Sequence, residues 1–495
     1  MLEVKDVLAR TFVNTSELML QVQRLLEPLI KAPVIALPQT NEGQQWWQKK
    51  ATQMRKTLLE RVVLSGVPQQ WQQTPLKVEW LDTLPGNGYR IRKLRYQAVP
   101  DLWIPALLYE PVRVKPSTPA VLYLMGHEGR GKSAVYAQTF CINMAKRGIY
   151  ALNPEWFGFG QLAHPELVHG CMNQLDLCGV RGVSVFYLSL KRALDVLLSL
   201  PNVDSKRIGV TGLSGGGWQT IFISALDERV TLANPVAGYS SFLTRLHHLK
   251  DLGDSEQTPC DMACFADYTD LTMLVAPRPL LLTFCAYDDC CFEAGYALPP
   301  LLRAAQRVYQ MLDAEEALAW HVNYNPGTHN YERDNREAFY RFIHRHWFLD
   351  DPQFDPTEIP CDGELRSAEE LAVPLPPDNA TFNKLAKTLS RSLPTIALPQ
   401  DEKASAQQKQ QLAEQILRVV VPESYRVWAI PFGSERHGDW QVTFWQLCVG
   451  NESGQISLPA TEIQGSEDPV GPTVVITADG RTNAAEPVRR WLARK

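Results

Sequence analysis

No Cys-x-x-Cys pair occurs in the 495 residues, and the ten cysteines are too scattered for a disulfide scaffold. The close histidine pairs, His247 with His248 and His344 with His346, are spaced so that neighbours fall on different helix faces. No metal site and no cofactor are expected from these spacings. The chain also lacks any run of 18 apolar residues, the length needed to cross a bilayer, so no membrane partner is expected. Its start, MLEVKDVLARTFVNTSELMLQVQRLL, mixes acids and bases where a secretory signal carries an uninterrupted apolar stretch. That reading makes the protein cytoplasmic by default, and exported only if a leader precedes this sequence. A long lysine or arginine run is missing too, and the net charge is -5, which leaves no electrostatic footprint for nucleic acid.

What the chain has is apolar substance: 45% hydrophobic and 21% charged residues are enough to fill the cores of two or three domains. Residues 42 to about 64 read as a helix closing an N-terminal helical segment, 1–74. LKVEW, YRIRKLRYQA and LWIPALLYEP then alternate around the turn Pro85-Gly86-Asn87-Gly88, an antiparallel opening. After it come short apolar runs separated by helical stretches: AVLYLM (120–125), IYALNP (149–154), RIGVTG (207–212), TLANPV (231–236), PLLLTF (279–284) and HVNYNP (321–326). Strands alternating with helices imply a mostly parallel sheet with helices on both faces, an α/β architecture over 75–350. The apolar helix 183–200, stopped by Pro201, is expected in one covering layer.

From 351 to 415 the composition shifts to proline, acids and glutamine, which reads as linker and helix. Beyond it the chain repeats its beginning. PVIALPQ (33–39) returns as PTIALPQ (394–400), and PAVLYLMGH (119–127) is matched by PTVVITADG (472–480) at a similar separation. Residues 416–495 are therefore expected to form an incomplete second copy of the first fold, without a nucleophile segment. Unpaired strand edges in such a copy call for a covering partner or for more chain.

Gly212-Leu213-Ser214-Gly215-Gly216 fits the G-x-S-x-G turn that lifts a serine nucleophile between a strand and a helix. The turn is tight enough to strain the serine and to exclude side chains beside it, hence the glycines. Chemistry at such a serine needs an acid and then a histidine on loops after later strands. PLLLTF runs into Asp288 and Asp289, and HVNYNP runs into His329. Counting from the strand favours Asp288 as the acid, with Asp289 left for a turn cap; His321, inside its strand, is expected to be structural. One oxyanion donor would be the N–H of Gly215, and a second should come from the loop near Gly126 or His127.

That same loop also reads as a phosphate-binding motif. Gly126-His-Glu-Gly-Arg-Gly131-Lys132-Ser133 satisfies G-x-x-x-x-G-K-[ST] and follows a strand, which makes nucleotide binding an alternative. It would leave the serine turn and His329 unexplained.

MGHEGRGK, NPEWFGFGQ, TGLSGGGWQT, APRPLLLTFCAYDD and NPGTHNYERDNREAFYRF together resemble the acetyl xylan esterase-like branch of the α/β-hydrolases, related to dienelactone hydrolase and cephalosporin deacetylase. The resemblance covers about residues 75–350. It implies Ser214 as nucleophile, Asp288 as acid, His329 as base, backbone oxyanion donors at His127 and Gly215, and deacetylation of carbohydrate esters. The expected function is a serine esterase acting on a small-molecule or carbohydrate ester; a serine peptidase of the same fold is the other acyl-transfer reading. Trp156, Phe157 and Phe159 follow a strand on the site's side, with stacking on a sugar ring and loop packing as the two roles open to them.

Overall fold

Apolar runs without polar alternation, such as AVLYLM and PLLLTF, need both strand faces covered. A computed structural model of the chain describes residues 3–10, 15–27, 30, 43–393, 401–420, 426–451, 454–465, 475 and 480–493. The chain folds as two compact units, one of Lys31–Pro394 and one of Met1–Ile30 with Thr395–Lys495. Residues 1–74 and 351–415, each read from sequence as a single segment, are thus each shared between the two units.

The larger unit holds a nine-stranded sheet: β1 Val78–Pro85, β2 Tyr89–Val99, β3 Leu102–Pro111, β4 Thr118–Leu124, β5 Tyr150–Pro154, β6 Val203–Leu213, β7 Leu232–Val236, β8 Leu280–Cys285 and β9 Leu318–Asn323. Their order is β1-β2-β3-β5-β4-β6-β7-β8-β9. β1, β2 and β3 pair antiparallel, β3 meets β5 antiparallel, and every pairing from β5 through β9 is parallel. Helices Val135–Lys146, Val183–Leu198, Gly215–Leu226 and Ala294–Met311 carry the chain between successive parallel strands. β4, β5, β7 and β8 are buried along their whole lengths.

Polar side chains on the central strands bond to one another across the sheet. Thr211 Oγ1 donates to Asn234 O at 2.8 Å, and Asn234 Nδ2 donates to Leu281 O at 2.9 Å and to Thr283 Oγ1 at 2.8 Å, a side-chain ladder across β6, β7 and β8. Two guanidiniums close the end of the helix Gly215–Leu226. Arg55 Nε donates to Ala225 O at 2.9 Å, and Arg278 Nη2 to Ser224 O at 2.7 Å.

Residues 351–393 are held to the sheet unit by amide side chains that take the place of a strand partner. Gln138 pairs with both N–H and C=O of Arg366, Asn143 with those of Ile359, Gln161 with those of Val373, and Asn379 with those of Trp103, all between 2.8 and 3.1 Å. Leu371, Val373 and Phe382 are fully buried beneath these contacts.

In the smaller unit, β10 Arg426–His437, β11 Trp440–Asn451 and β12 Gly454–Gln464 form an antiparallel sheet in chain order. A helix, Glu402–Val420, precedes them as Gly43–Leu58 precedes β1–β3. The repeated segments 33–39 and 394–400 lie outside the described residues, as does most of 472–480, the expected counterpart of β4.

The two-point amide contacts make a definite prediction. Asn143→Ala leaves the Ile359 N–H and C=O without partners, a loss of about 1–3 kcal/mol. Amide exchange should accelerate at Ile359 while β6 and β7 keep their protection; unchanged exchange at Ile359 would show that the strap does not depend on the amide.

Candidate active site

Ser214 stands at the carboxyl end of β6, at φ 59° and ψ -122°, a conformation that few residues other than glycine adopt. The turn is held by Ser214 N–H donating to Val236 O at 2.9 Å and by Trp218 N–H donating to Ser214 O at 3.0 Å. Its tightness is quantitative. A Cβ placed on Gly212 would lie 2.2 Å from Leu124 O, and one on Gly216 would lie 2.1 Å from the same atom. The loop after β4 is as close, since a Cβ on Gly126 would lie 2.5 Å from Leu213 O and 3.1 Å from Gly215 N. The N–H groups of His127 and Gly215 have no acceptor among the described residues; Gly215 directly follows the serine, and a Cβ on Gly126, the residue before His127, would lie 3.2 Å from Ser214 Cβ.

The loops after β8 and β9 are joined by Ala286 N–H to Asn323 O at 2.9 Å and Tyr287 N–H to Gly327 O at 2.8 Å. This brings Asp288 Oδ2 within 2.8 Å of His329 Nδ1. Asp288 Oδ1 accepts the N–H groups of Cys290 and Cys291, both at 3.0 Å, so the buried carboxylate is fully engaged. The structure separates the two aspartates: Asp289 is exposed and accepts the backbone N–H of His329 at 2.9 Å. Burial works against charge on the His329 imidazole, but the Asp288 hydrogen bond and charge outweigh it and raise its pKa above the ordinary 6.5. With Nδ1 turned to Asp288, Nε2 is the nitrogen free for the serine. No hydrogen bond joins it to Ser214 Oγ here, a contact that commonly tightens only around substrate. Both residues line one cavity of about 760 Å³ with Gly126, His127, Asp254 and Cys290.

Sequence reading missed the asparagines that set the histidine loop. Asn323 Oδ1 accepts Gly327 N–H at 2.9 Å and Asn330 Nδ2 at 3.0 Å, and Asn335 Nδ2 donates to Asn330 O at 2.9 Å. Their signal was the density of asparagine around His329. His321 bonds Asp334 at 2.9 Å, away from the serine.

The phosphate-loop alternative is corrected by the fate of its lysine. Lys132 is 2% exposed, its ammonium 3.1 Å from the equally buried Glu155 carboxylate, which also accepts the Lys132 N–H at 2.8 Å. Burial lowers the Lys132 pKa, and Glu155 opposes that. The cation that a nucleotide would need is already neutralised inside the protein, and the glycine spacing serves Glu155: a Cβ on Gly131 would lie 1.8 Å from its Oε1. Trp156 and Phe157 are likewise interior, 3% and 1% exposed, packed against His169 and Phe186 respectively. Only Phe159 of that trio is partly open, 5.1 Å from the His127 ring.

Residues 79–270 match the acetyl xylan esterase family model. The hydrolase candidate YtaP of Bacillus subtilis (strain 168) is 29% identical over 200 residues, 37% of this chain and 65% of that protein, so the match spans a little under two thirds of that relative. Among solved structures, the methylesterase BT1017 superposes with a TM-score of 0.55 at 20% identity, covering 80% of this chain and 81% of its own. At that identity the likeness concerns the fold, and the fold agrees. The larger unit has the α/β-hydrolase fold, and residues 79–270, which match the acetyl xylan esterase model, lie wholly within it.

Proposed function

We propose that the protein hydrolyses carboxylic esters through an acyl-serine intermediate, with Ser214 as nucleophile, His329 as general base and Asp288 as the carboxylate that orients it. The observation that carries this reading is the 2.8 Å contact between His329 Nδ1 and Asp288 Oδ2, in the cavity that also exposes the strained Ser214. Nε2 takes the Ser214 proton as Oγ attacks the carbonyl, and then returns it to the departing alcohol. Asp288 remains ionised and stabilises the imidazolium. The N–H groups of His127 and Gly215 receive the oxyanion. Water then repeats the sequence and releases the acid. An acetylated carbohydrate is the substrate class that the family match supports.

Ser214→Ala should lower kcat on an aryl acetate by about 10⁶ and abolish fluorophosphonate labelling, with acetylated sugars and peptides run alongside as the substrate panel. A folded wild type that takes no label and turns over no ester would sink the reading.

The pH profile gives a second check. The base acts when neutral, so kcat/KM should rise with pH through the raised pKa of His329, above 6.5. Asp288→Asn removes the charge that raises it, so the limb should move to lower pH while kcat falls about 10⁴-fold. A limb that stays in place in that variant would remove Asp288 from its assigned role.

A further inference from the structure

Beside the loop that follows β4, four side chains from three separate segments converge. His127 Nε2 is 2.9 Å from Asp254 Oδ2, and His169 Nδ1 is 3.2 Å from the same oxygen and 2.9 Å from Glu256 Oε2. The four ligand atoms all lie within 4.8 Å of one another. His169 and Glu256 form the floor, their side chains 2% and 0% exposed, while His127 and Asp254, at 31% and 52%, open onto the cavity that holds Ser214.

The protons decide what this cluster is for. His169 Nε2 is 2.9 Å from the carbonyl oxygen of Phe157, which can only accept, so Nε2 carries a hydrogen. Nδ1 then faces two carboxylates. Although 2.9 Å apart, Nδ1 and Glu256 Oε2 are not aligned as donor and acceptor, and both buried atoms lack a hydrogen-bond partner. Two unpartnered buried groups aimed into one small space ask for something between them.

We propose that His127, His169, Asp254 and Glu256 bind one divalent transition-metal cation of the zinc class. Imidazole nitrogens and carboxylate oxygens at about 2.0–2.2 Å are the ligands such an ion takes, and four of them complete a tetrahedral shell. Two neutral imidazoles and two carboxylates balance its charge. The His169 N–H held by a backbone carbonyl is the outer support that a metal-bound histidine usually has. Bound metal would also tie the His127 ring to the segment 254–256 and fix the backbone N–H assigned above to the oxyanion. That consequence rests on the acyl-transfer reading; metal binding itself does not.

Cys290, Cys291 and His329 form a second group of potential ligands, of softer chemistry. The full chain, stripped with a chelator, is therefore titrated with Zn²⁺ by calorimetry and with Co²⁺ by absorption. One equivalent should bind, with visible d–d bands and no near-ultraviolet thiolate band. Asp254→Asn and Glu256→Gln should each weaken binding by about tenfold or more, and Cys290→Ser should leave it intact. Asp254 is half exposed, so its variant tests the site without emptying the core. Ser214→Ala should bind the same single ion whether or not the wild type cleaves an ester, which keeps the two proposals separate. Absence of saturable Zn²⁺ binding, full retention in both carboxylate variants, or loss in Cys290→Ser would overturn the assignment.

Discussion

The carbonyl oxygen of Leu124 occupies the place that a Cβ on either Gly212 or Gly216 would need, and that one contact organises the site. It brings the carboxyl ends of β4 and β6 together so closely that the residue between the glycines is forced to φ 59°. Such backbone costs about 1–3 kcal/mol and persists only where the surroundings over-determine it. Here they do. β7 accepts the serine N–H, β4 supplies the crowding oxygen, and the ladder from Thr211 through Asn234 to Thr283 locks β6, β7 and β8 in register below the turn.

The same compression bears on the two polar pairs flanking the site, one buried and one open to the cavity. The loop after β4 has to leave the sheet at once, because Gly126 already touches the backbone of Leu213. Glu155, at the end of the neighbouring β5, receives Lys132 from that loop and neutralises it, and a buried pair with one partner removed would leave an uncompensated charge. On the other side the loop delivers His127 to Asp254. One short segment therefore serves both the proposed oxyanion site and the proposed metal site.

How much of this could be read from sequence depended on the range of the interaction. AVLYLM, RIGVTG, TLANPV and PLLLTF lie within β4, β6, β7 and β8 or extend past them by a residue, because continuous burial leaves an unbroken apolar run. The last strand was displaced: HVNYNP ran past the end of β9 at Asn323 into the loop, and the strand begins earlier, at Leu318. The stretch 351–393 was less legible still. Its backbone is met by the side chains of Gln138, Asn143 and Gln161, and its own Asn379 side chain meets the backbone of Trp103, so it needs no strand pattern of its own and reads by composition as a linker.

By itself the sequence determined the parallel sheet, the antiparallel opening and the serine turn, together with the loops from which an acid and a histidine would come. Each of these is written in neighbouring residues, as apolar runs or as glycine spacing. Only the tertiary structure decided which of two adjacent aspartates meets His329, that Lys132 faces Glu155 and no phosphate, and that His127, His169, Asp254 and Glu256 share one space. Those are pairings between groups remote along the chain, fixed by where separate loops meet above the sheet, and no local pattern encodes that meeting.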